Sequence, residues 1–336
     1  MKIRIAVAQV HPPTADIPAA LRKLRWLLEG LQYAKADILV LPECWLTGYH
    51  LSPTLARALA VPFLNVNTTS AEANPLAAVA ALAAEFRVAI VIGFIERSGE
   101  VVFNSLALFD RSGSVRGHYR KSHLWGPIER ETYTYGPGPG VEAFVPVTLP
   151  EFPDVPIGLL ICYDMEFPEP SRLLALAGAK LIIASTAMAE AEAFASRVYA
   201  RARACENHIA FVFSNYPSSE SPAPPSGLAG QVLAPPHYSG GSTVVGPDGS
   251  VIYALPAFAC PGKDGKNKTQ PGNASEHFEA EATATVLMVL RNSNGFSLGF
   301  DESLFVVSYD PCDKDYISDE ERNPYLRQRR LDLYGK

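Results

Sequence analysis

The sequence predicts an α/β fold. Short, nearly continuous apolar runs alternate along the chain with longer segments whose apolar residues recur at helical spacing. Strands that are apolar on both faces are typical of sheets covered on both sides, which is the α/β arrangement. The chain has 336 residues, 48% of them hydrophobic, so it is long enough to bury a large core.

The first half of the chain alternates strand-like and helix-like segments. The N-terminal run IRIAVAQV alternates as a strand does, and the later apolar runs are separated by segments of helical period. A Ser112-Gly113 pair between the last two runs is typical of a turn. The predicted elements, in order, are a strand at 3–10, a helix at 19–33, a strand at 36–43, a helix at 73–86, and strands at 88–96, 103–110 and 114–121.

The second half continues this pattern and then becomes irregular. Segments near 216–236 and 256–277 are rich in Pro, Ser and Gly or in charged residues, and both are predicted as long surface loops. The predicted elements are a strand at 155–162, a helix near 171–177, a strand at 180–185, a helix near 194–207, a strand at 208–215, a hairpin at 242–255 and a strand at 281–290.

We predict that residues 1–336 form one domain. The loop near 256–277 falls between a hairpin and a strand, which makes it an insertion within the domain and not a boundary. No internal repeat is visible. The tail near 311–336 ends in a basic and aromatic stretch, NPYLRQRRLDLYGK, that suits docking on a surface.

Charge and composition exclude several classes of partner. The net charge of -6 and the pI near 5.7, with no block of five basic residues, argue against nucleic acid. No run approaches the roughly 20 apolar residues of a membrane helix. The N-terminus also lacks the apolar core of a signal peptide. We therefore expect a cytoplasmic protein that binds neither nucleic acid nor membrane.

The cysteines predict free thiols. They lie at positions 44, 162, 205, 260 and 312, and none shows CxxC spacing. An odd number without that spacing favours neither a disulfide framework nor a zinc site. We expect no metal and no cofactor.

Three predicted strands end in a residue that can do chemistry. Glu43, Lys121 and Cys162 each close a strand-like run. Taken singly, each has an ordinary explanation, as a solvated charge or a buried structural thiol. Sites of open α/β sheets collect at the carboxyl ends of strands, so the three together form a candidate site.

These residue types form a complete set for acyl transfer. A cysteine thiol has an ordinary pKa of about 8.5 and needs a base or a cation nearby to react at neutral pH. A glutamate can accept its proton, and a lysine can stabilise the negative charge that develops on an attacked carbonyl oxygen. No histidine is required.

Three sequence blocks around these residues resemble the signature blocks of the nitrilase superfamily, the carbon-nitrogen hydrolases. They are LPECWLTGY at 41–49, YRKSHL at 119–124 and ICYDMEFPE at 161–169, in that order. Further segments that resemble the family are TAM at 186–188, ARACENHIAFVFSN at 202–215, GGSTVVGPDG at 240–249 and NPYLRQRR at 323–330. The resemblance therefore covers nearly the whole chain.

This resemblance implies both a fold and a set of roles. The superfamily fold is a four-layer αββα sandwich, and its members commonly form homodimers or higher homo-oligomers. The matching positions make Glu43 the general base, Lys121 the electrostatic stabiliser and Cys162 the nucleophile.

Many members of the superfamily carry a second glutamate after the lysine. The segment KSHLWGPIERE resembles the aliphatic amidases, whose matching segment also contains PIE. The resemblance assigns the second acid to Glu129, with Glu131 as the rival. A solvated loop acid is the alternative for Glu129.

The resemblance also implies hydrolysis of a non-peptide carbon-nitrogen bond through a thioester on Cys162. Nitrile-hydrolysing members usually have tryptophan after the nucleophile, whereas this chain has Tyr163. The expected partner is therefore a small-molecule amide that yields a carboxylic acid and ammonia. The alternatives are a nitrile, a carbamoyl compound, acyl transfer to an amine, and a relative without catalysis.

Further candidates flank the catalytic blocks. The backbone N–H of Tyr163 is expected to join the lysine at the oxyanion. Trp125, Tyr49 and Met188 are candidate walls of a small pocket, although buried residues of these types are commonly only core. The length of the 216–236 segment suggests a substrate bulkier than a simple aliphatic amide.

Other residues that look catalytic are given structural explanations. Cys44 matches no required family position, and Cys205, in a helical run, is predicted to be core. Residues 295–299 fit the GxSxG pattern, but no histidine follows them as that serine-hydrolase fold requires. Asp164 and Glu166 are of secondary interest once another glutamate supplies the base.

Overall fold

The computed structural model describes residues 2–63, 74–138, 142–218, 225–228, 230–233, 237–255, 284–287 and 303–309. The predicted loop near 256–277, the GxSxG segment and the tail near 311–336 lie outside these residues. The single-domain organisation stays a prediction. Within the described ranges, every helix is too short or too polar to span a lipid bilayer.

The helices begin where the sequence supplies caps and prolines. At the starts of the first three, Asp16, Ser52 and Asn74 accept hydrogen bonds from backbone N–H groups of the first turn. A proline in the first turn of each favours helical geometry and leaves no N–H unpaired. The described helices are α1 (Ile17–Leu31), α2 (Pro53–Leu59), α3 (Pro75–Phe86), α4 (Gly126–Thr132), α5 (Pro168–Leu176) and α6 (Phe194–Asn207).

The strands form two sheets. They are β1 (Ile3–Gln9), β2 (Ile38–Val40), β3 (Val61–Pro62), β4 (Ala89–Ser98), β5 (Val101–Phe109), β6 (Val115–Arg120), β7 (Val147–Leu149), β8 (Phe152–Ile161), β9 (Leu181–Ser185), β10 (Ala210–Ser214), β11 (Thr243–Val245), β12 (Val251–Ala254), β13 (Ala284–Leu287) and β14 (Ser303–Tyr309). The first sheet has the order β13-β14-β1-β2-β4-β5-β6, with β3 beside β4. The second has the order β12-β11-β10-β9-β8-β7. Parallel strands lie at the centre of each, β1, β2 and β4 in the first and β8, β9 and β10 in the second.

The two sheets pack face to face, with helices outside each. Along β1, Ile5 and Val7 belong to the core between the sheets, while Ala6 and Ala8 belong to the core on the opposite face. Helices α1 and α3 cover that opposite face, and α5 and α6 pack on the outer face of the second sheet. The predicted four-layer αββα sandwich is confirmed.

Several elements differ from the sequence prediction. The sequence pattern predicts neither α2 nor α4, because each is only 7 residues long and too short to show a period. It also does not predict β14, which pairs antiparallel with β1 over its full length across a large separation in the chain. Cys205 is exposed, so its predicted core position is wrong. Helix α6 turns Ala200 and Ala204 into the core, and the next position faces solvent.

Candidate active site

The candidate site lies where the carboxyl ends of strands from both sheets meet. Lys121 directly follows β6, and Cys162 directly follows β8. Glu43 lies shortly after β2, and its backbone N–H donates to the carbonyl oxygen of Thr186, the residue after β9, at 3.3 Å. The structure therefore brings the three residues predicted from the strand ends to one edge of the sandwich.

The turn that carries Glu43 crosses β4 at Gly93. A Cβ atom on Gly93 would lie 2.3 Å from the backbone nitrogen of Cys44 and 2.9 Å from the carbonyl carbon of Glu43, so only glycine leaves room for the turn. The backbone N–H of Leu46 donates to the Gly93 carbonyl at 3.0 Å. The Tyr216 hydroxyl donates to the Glu43 carbonyl at 2.7 Å. Contacts from both sheets thus fix the backbone of this glutamate.

The two oxygens of the Glu43 carboxylate have different surroundings. Oε1 accepts hydrogen bonds from Lys121 Nζ and from Asn104 Nδ2, each at 2.7 Å. Oε2 is buried and has no hydrogen-bond partner among the described residues. Burial raises the pKa of Glu43 to about 7, against the opposing effect of Lys121 and with a further rise from Glu129. Oε2 is therefore free to accept a proton, and the raised pKa allows it to do so near neutral pH.

Lys121 lies fully buried between two carboxylates. Besides Glu43, its ammonium donates to Glu129 Oε1 at 2.7 Å. Glu129 in turn accepts from the Tyr49 hydroxyl and from the backbone N–H of Trp125, both at 2.6 Å. Burial opposes the positive charge on Lys121, but Glu129 and Glu43 hold its pKa well above its usual value. Lys121 is therefore a buried, charged ammonium in a fixed position.

The two acids predicted after the lysine have different environments. Glu129 is 3% exposed and contacts Lys121, whereas Glu131 is exposed to solvent. Both belong to α4, and residues two positions apart on a helix point to different faces. The geometry favours Glu129 over Glu131 as the second acid of the site.

Cys162 lies in a left-handed turn. It opens a short 3₁₀ segment, Cys162–Glu166, and its φ is 45°. That conformation costs a residue with a side chain about 1 kcal/mol or more, and such residues cluster at functional sites. Burial and then the Glu43 charge hold the pKa of the thiol well above its usual value, with Lys121 opposing them. At rest the sulfur is therefore a neutral thiol near a base.

The remaining predicted residues contact the site in different ways. Tyr49 and Trp125 both bind Glu129 by hydrogen bonds, a polar contact that the sequence does not predict. The Trp125 side chain is partly exposed, and the Tyr163 ring lies edge-on to Phe167 with centroids 5.1 Å apart. Met188 is buried in the apolar core that surrounds the second sheet. Roles for these side chains as pocket walls stay predictions.

Part of the predicted loop near 216–236 lies beside the site. Val232 pairs with Leu51 in an isolated antiparallel bridge, and Tyr238, just beyond the predicted range, pairs with Ala189. Leu51 follows the Glu43 turn, and Ala189 follows the residues after β9. The described parts of this segment and the residues just beyond it therefore contact both sides of the site.

Three buried polar residues near the site have no role predicted from the sequence. Asn104 binds the Glu43 carboxylate, Tyr216 binds the Glu43 carbonyl, and Asp164 accepts hydrogen bonds from residues on both sides of Lys121. A buried asparagine within the apolar run FNSLALFD is a signal that could have revealed Asn104. Tyr216 and Asp164 give no comparable signal, because their partners are distant in sequence.

Other groups that resemble catalytic centres have structural partners. The Cys44 thiol is fully buried and donates to Asn104 Oδ1 at 3.3 Å. His118 Nε2 lies 2.7 Å from Glu96, and His123 Nδ1 lies 2.8 Å from Asp164. Across the part of the chain that the structure describes, no group of three or more His, Cys, Asp or Glu residues could hold a metal ion.

Comparisons with known proteins agree on one family. The carbon-nitrogen hydrolase family matches residues 4–259. The chain is 34% identical over 252 residues to "Hydrolase in pqqF 5'region" from Pseudomonas protegens, covering 74% of this chain and 78% of that protein. It is 33% identical over 217 residues to an (R)-stereoselective amidase from Pseudomonas sp., covering 65% of this chain and 68% of that protein.

A solved structure shares the fold. The crystal structure of an amidase from Nesterenkonia sp. is similar with a TM-score of 0.64 and 24% sequence identity, over 99% of this chain and 95% of that chain. The range matched by the carbon-nitrogen hydrolase family, residues 4–259, spans most of the sequence. It includes Glu43, Lys121, Glu129 and Cys162. The chain belongs to the carbon-nitrogen hydrolase family, within the nitrilase superfamily.

Proposed function

We propose that the protein hydrolyses a small-molecule amide to a carboxylic acid and ammonia, with Cys162 as the nucleophile. The observation that carries this proposal is the buried row of charges formed by Glu43, Lys121 and Glu129, next to a cysteine in a left-handed turn. Membership of the carbon-nitrogen hydrolase family supports the same chemistry.

The first step forms the bond between sulfur and carbon. Glu43 Oε2 accepts the thiol proton as the Cys162 sulfur attacks the carbonyl carbon of the amide. The carbonyl electron pair moves onto oxygen. There, the Lys121 ammonium and the backbone N–H of Tyr163 stabilise the negative charge. Base-assisted attack suits a thiol whose pKa is held well above its usual value and a glutamate whose pKa is about 7.

The next steps release the two products. Glu43 gives its proton to the leaving nitrogen, the carbon-nitrogen bond breaks, and ammonia departs from a thioester on Cys162. Glu43 then removes a proton from a water molecule that attacks the thioester carbonyl. The sulfur leaves and takes from Glu43 the proton that came from water, which restores the thiol and the carboxylate, and the carboxylic acid is released.

Glu129 is proposed to orient Lys121 and to keep it charged. An ammonium group has three N–H donors, and two of those of Lys121 go to Glu43 and Glu129. One donor remains for the carbonyl oxygen of the substrate. Since Tyr49 and Trp125 hold Glu129 in place, the direction of that remaining donor is set before the substrate binds.

An amide is favoured over a nitrile by two observations. Tyr163 follows the nucleophile where nitrile-hydrolysing members usually have tryptophan. One relative of 33% identity is named an (R)-stereoselective amidase. The proposed substrate is therefore a primary amide, and the length of the 216–236 segment favours one with a bulky acyl group.

The test is ammonia release from a panel of amides, nitriles and carbamoyl compounds. We expect wild-type protein to release ammonia from at least one amide and the Cys162→Ala variant to release none. Intact mass after rapid quenching should show an acyl adduct on the wild-type chain only. Turnover of nitriles alone would make the amidase assignment wrong. Absence of both turnover and adduct would contradict the catalytic role of Cys162.

We further propose that the protein forms a homodimer through the outer faces of α5 and α6. These neighbouring helices expose Leu173, Leu176, Phe194 and Val198, whose exposed fractions are 46%, 50%, 47% and 53%. Adjacent exposed apolar side chains of this kind are typical of a protein interface. A second copy of the chain is the proposed partner.

A reducing compartment, the cytoplasm, is the proposed location. The proposed nucleophile works only as a free thiol, and Cys44, Cys162 and Cys205 are all free in the structure. Such thiols persist where disulfides are kept reduced.

A further inference from the structure

Asp164 is a buried carboxylate that takes no direct part in the proposed reaction. It lies between the segments that carry Lys121 and Cys162. Asp164 belongs to the 3₁₀ turn Cys162–Glu166 and is fully buried. A buried carboxylate is costly unless hydrogen bonds compensate for the water it has lost. The partners of Asp164 therefore indicate what it holds together.

Asp164 makes four hydrogen-bond contacts. Its Oδ2 accepts from the Tyr119 hydroxyl at 2.8 Å and from the backbone N–H of Ile161 at 3.3 Å. Its Oδ1 accepts from the backbone N–H of His123 at 2.9 Å and lies 2.8 Å from His123 Nδ1. Both oxygens are used, and the contacts come from two separate segments of the chain.

The positions of these partners relative to the reacting residues are informative. Tyr119 and His123 lie on either side of Lys121, each two positions away, while Ile161 directly precedes Cys162. Lys121 is carried by the first sheet and Cys162 by the second. Apolar packing between sheets is not directional, whereas hydrogen bonds to a carboxylate fix both distance and angle.

The contacts extend from His123 to the residue after the nucleophile. The His123 ring stacks on Phe167, with centroids 4.1 Å apart and planes 17° from parallel. The Phe167 ring is in turn edge-on to Tyr163. The same carboxylate thus also anchors a row of rings that ends beside Cys162.

We propose that Asp164 is a positioning residue that sets the placement of the Cys162 sulfur relative to the Lys121 ammonium, by tying the two strand ends of different sheets to each other. This inference rests on the proposed function, because that function makes Cys162 and Lys121 the reacting pair. Asp164 touches no reacting atom. It acts through Tyr119, His123 and Ile161.

The principal test is Asp164→Asn, which keeps the size of the side chain and removes its charge and one acceptor oxygen. A misplacement of about 1 Å can reduce turnover by about 100-fold, so we expect kcat to fall by about 10- to 100-fold. KM should change little, because the lost effect is on the transition state and not on substrate binding.

A second measurement needs no substrate. Iodoacetamide alkylation of Cys162 is followed over a pH series and read by peptide mass, because the exposed Cys205 can also react. The pH midpoint depends on where the buried sulfur lies relative to the Glu43 and Lys121 charges, which oppose each other at the thiol. Asp164→Asn should shift this midpoint away from the wild-type value. If wild-type protein hydrolysed no amide, the proposed function would fail while this measurement still tested the position of the sulfur.

Asp110→Asn is the matched control. Asp110 is also buried, and it accepts four hydrogen bonds, from Ser112 and Ser114 in the turn between β5 and β6 and from Arg116 in β6. This variant should lose thermal stability but keep the wild-type kcat and alkylation midpoint. Asp164→Asn with wild-type kcat and a wild-type midpoint would overturn the inference.

Tyr119→Phe keeps the inference testable if Asp164→Asn does not fold. It removes one of the four contacts and preserves the ring. We expect a smaller fall in kcat and a smaller shift of the alkylation midpoint. Wild-type values for both in a folded Tyr119→Phe protein would then overturn the inference.

Discussion

At the scale of single residues, the Glu43 carboxylate controls the expected pH dependence. Burial raises its pKa to about 7. In the proposed mechanism the ionised form is the active one, so activity is gained as pH rises through about 7 and lost as pH falls below it. The acid limb of kcat/KM reports the free enzyme and should have its midpoint near that pH.

Two substitutions should move this midpoint in opposite directions. Asn104→Leu removes a hydrogen bond that lowers the pKa of Glu43, so the limb should move to higher pH. Glu129→Gln removes a negative charge that raises the pKa, so the limb should move to lower pH. Profiles of kcat/KM for the three proteins provide the comparison. If the acid limb moved in the same direction in both variants, or moved in neither, the assignment of Glu43 as the base would be contradicted.

The sequence alone indicates some of the candidate site residues and not others. Glu43, Lys121 and Cys162 were indicated because each ends a strand-like run, and the ends of such runs can be read from the sequence. Glu129 required the family resemblance, since nothing local distinguishes it from Glu131. Asn104 required the fold, because its hydrogen bond to Glu43 joins residues on different strands.

At the scale of secondary structure elements, the crossing of the Glu43 turn over β4 is a tightly constrained contact. Gly93→Ala places a methyl group against backbone atoms, which cannot move aside as a side chain can. Forcing extra atoms into a packed site typically costs about 1–3 kcal/mol. The displaced turn should also reduce kcat by about 100-fold. Thermal unfolding and steady-state kinetics measure the two effects.

Gly158→Ala on β8 is the control for that substitution. The three atoms nearest to its added methyl group all belong to the side chain of Leu174, the first at 2.7 Å. Leu174 can shift to another rotamer, so we expect a stability loss with near wild-type turnover. The crossing would not be the constraint described if Gly93→Ala behaved like this control.

Elements were predictable where they were long and periodic. Helices α1, α3 and α6 and the central strands satisfy their patterns over many residues, with shifts of a few residues at their ends. Helices α2 and α4 span only 7 residues each and gain their stability from tertiary contacts that a sequence pattern does not contain. The pairing of β14 with β1 is of the same kind.

At the scale of the whole molecule, the proposed dimer can be tested on its own. Glutamate in place of Leu176 or Val198 puts a charge in the proposed interface, so it should convert the dimer to a monomer. Tyr33→Glu is the control, because Tyr33 is 91% exposed and lies beyond α1, on the opposite outer layer. Light scattering coupled to gel filtration measures the mass. A wild-type monomer would contradict the proposed interface.

The layer order of the whole molecule came from the resemblance and not from the pattern of elements. Alternating strands and helices predict an α/β protein, but the same pattern fits one sheet covered on both faces by helices. What separates the chain into two sheets is that β7 pairs with β8 and β8 pairs with β9, whereas β6 pairs with β5. Which strands pair with each other depends on tertiary contacts, so the local hydrophobic periodicity of the sequence does not predict it.

The buried row of charges also has a consequence for the release of product. With Glu43 and Glu129 as carboxylates and Lys121 as ammonium, the site carries one net negative charge. Attack by the thiol leaves that total unchanged, because the proton moves to Glu43 as the oxyanion forms. The ionised acid product adds a second negative charge, and two like charges about 4 Å apart repel by about 4 kcal/mol at an effective dielectric constant of about 20. The acid should therefore leave readily and inhibit more weakly than a neutral amide of the same shape.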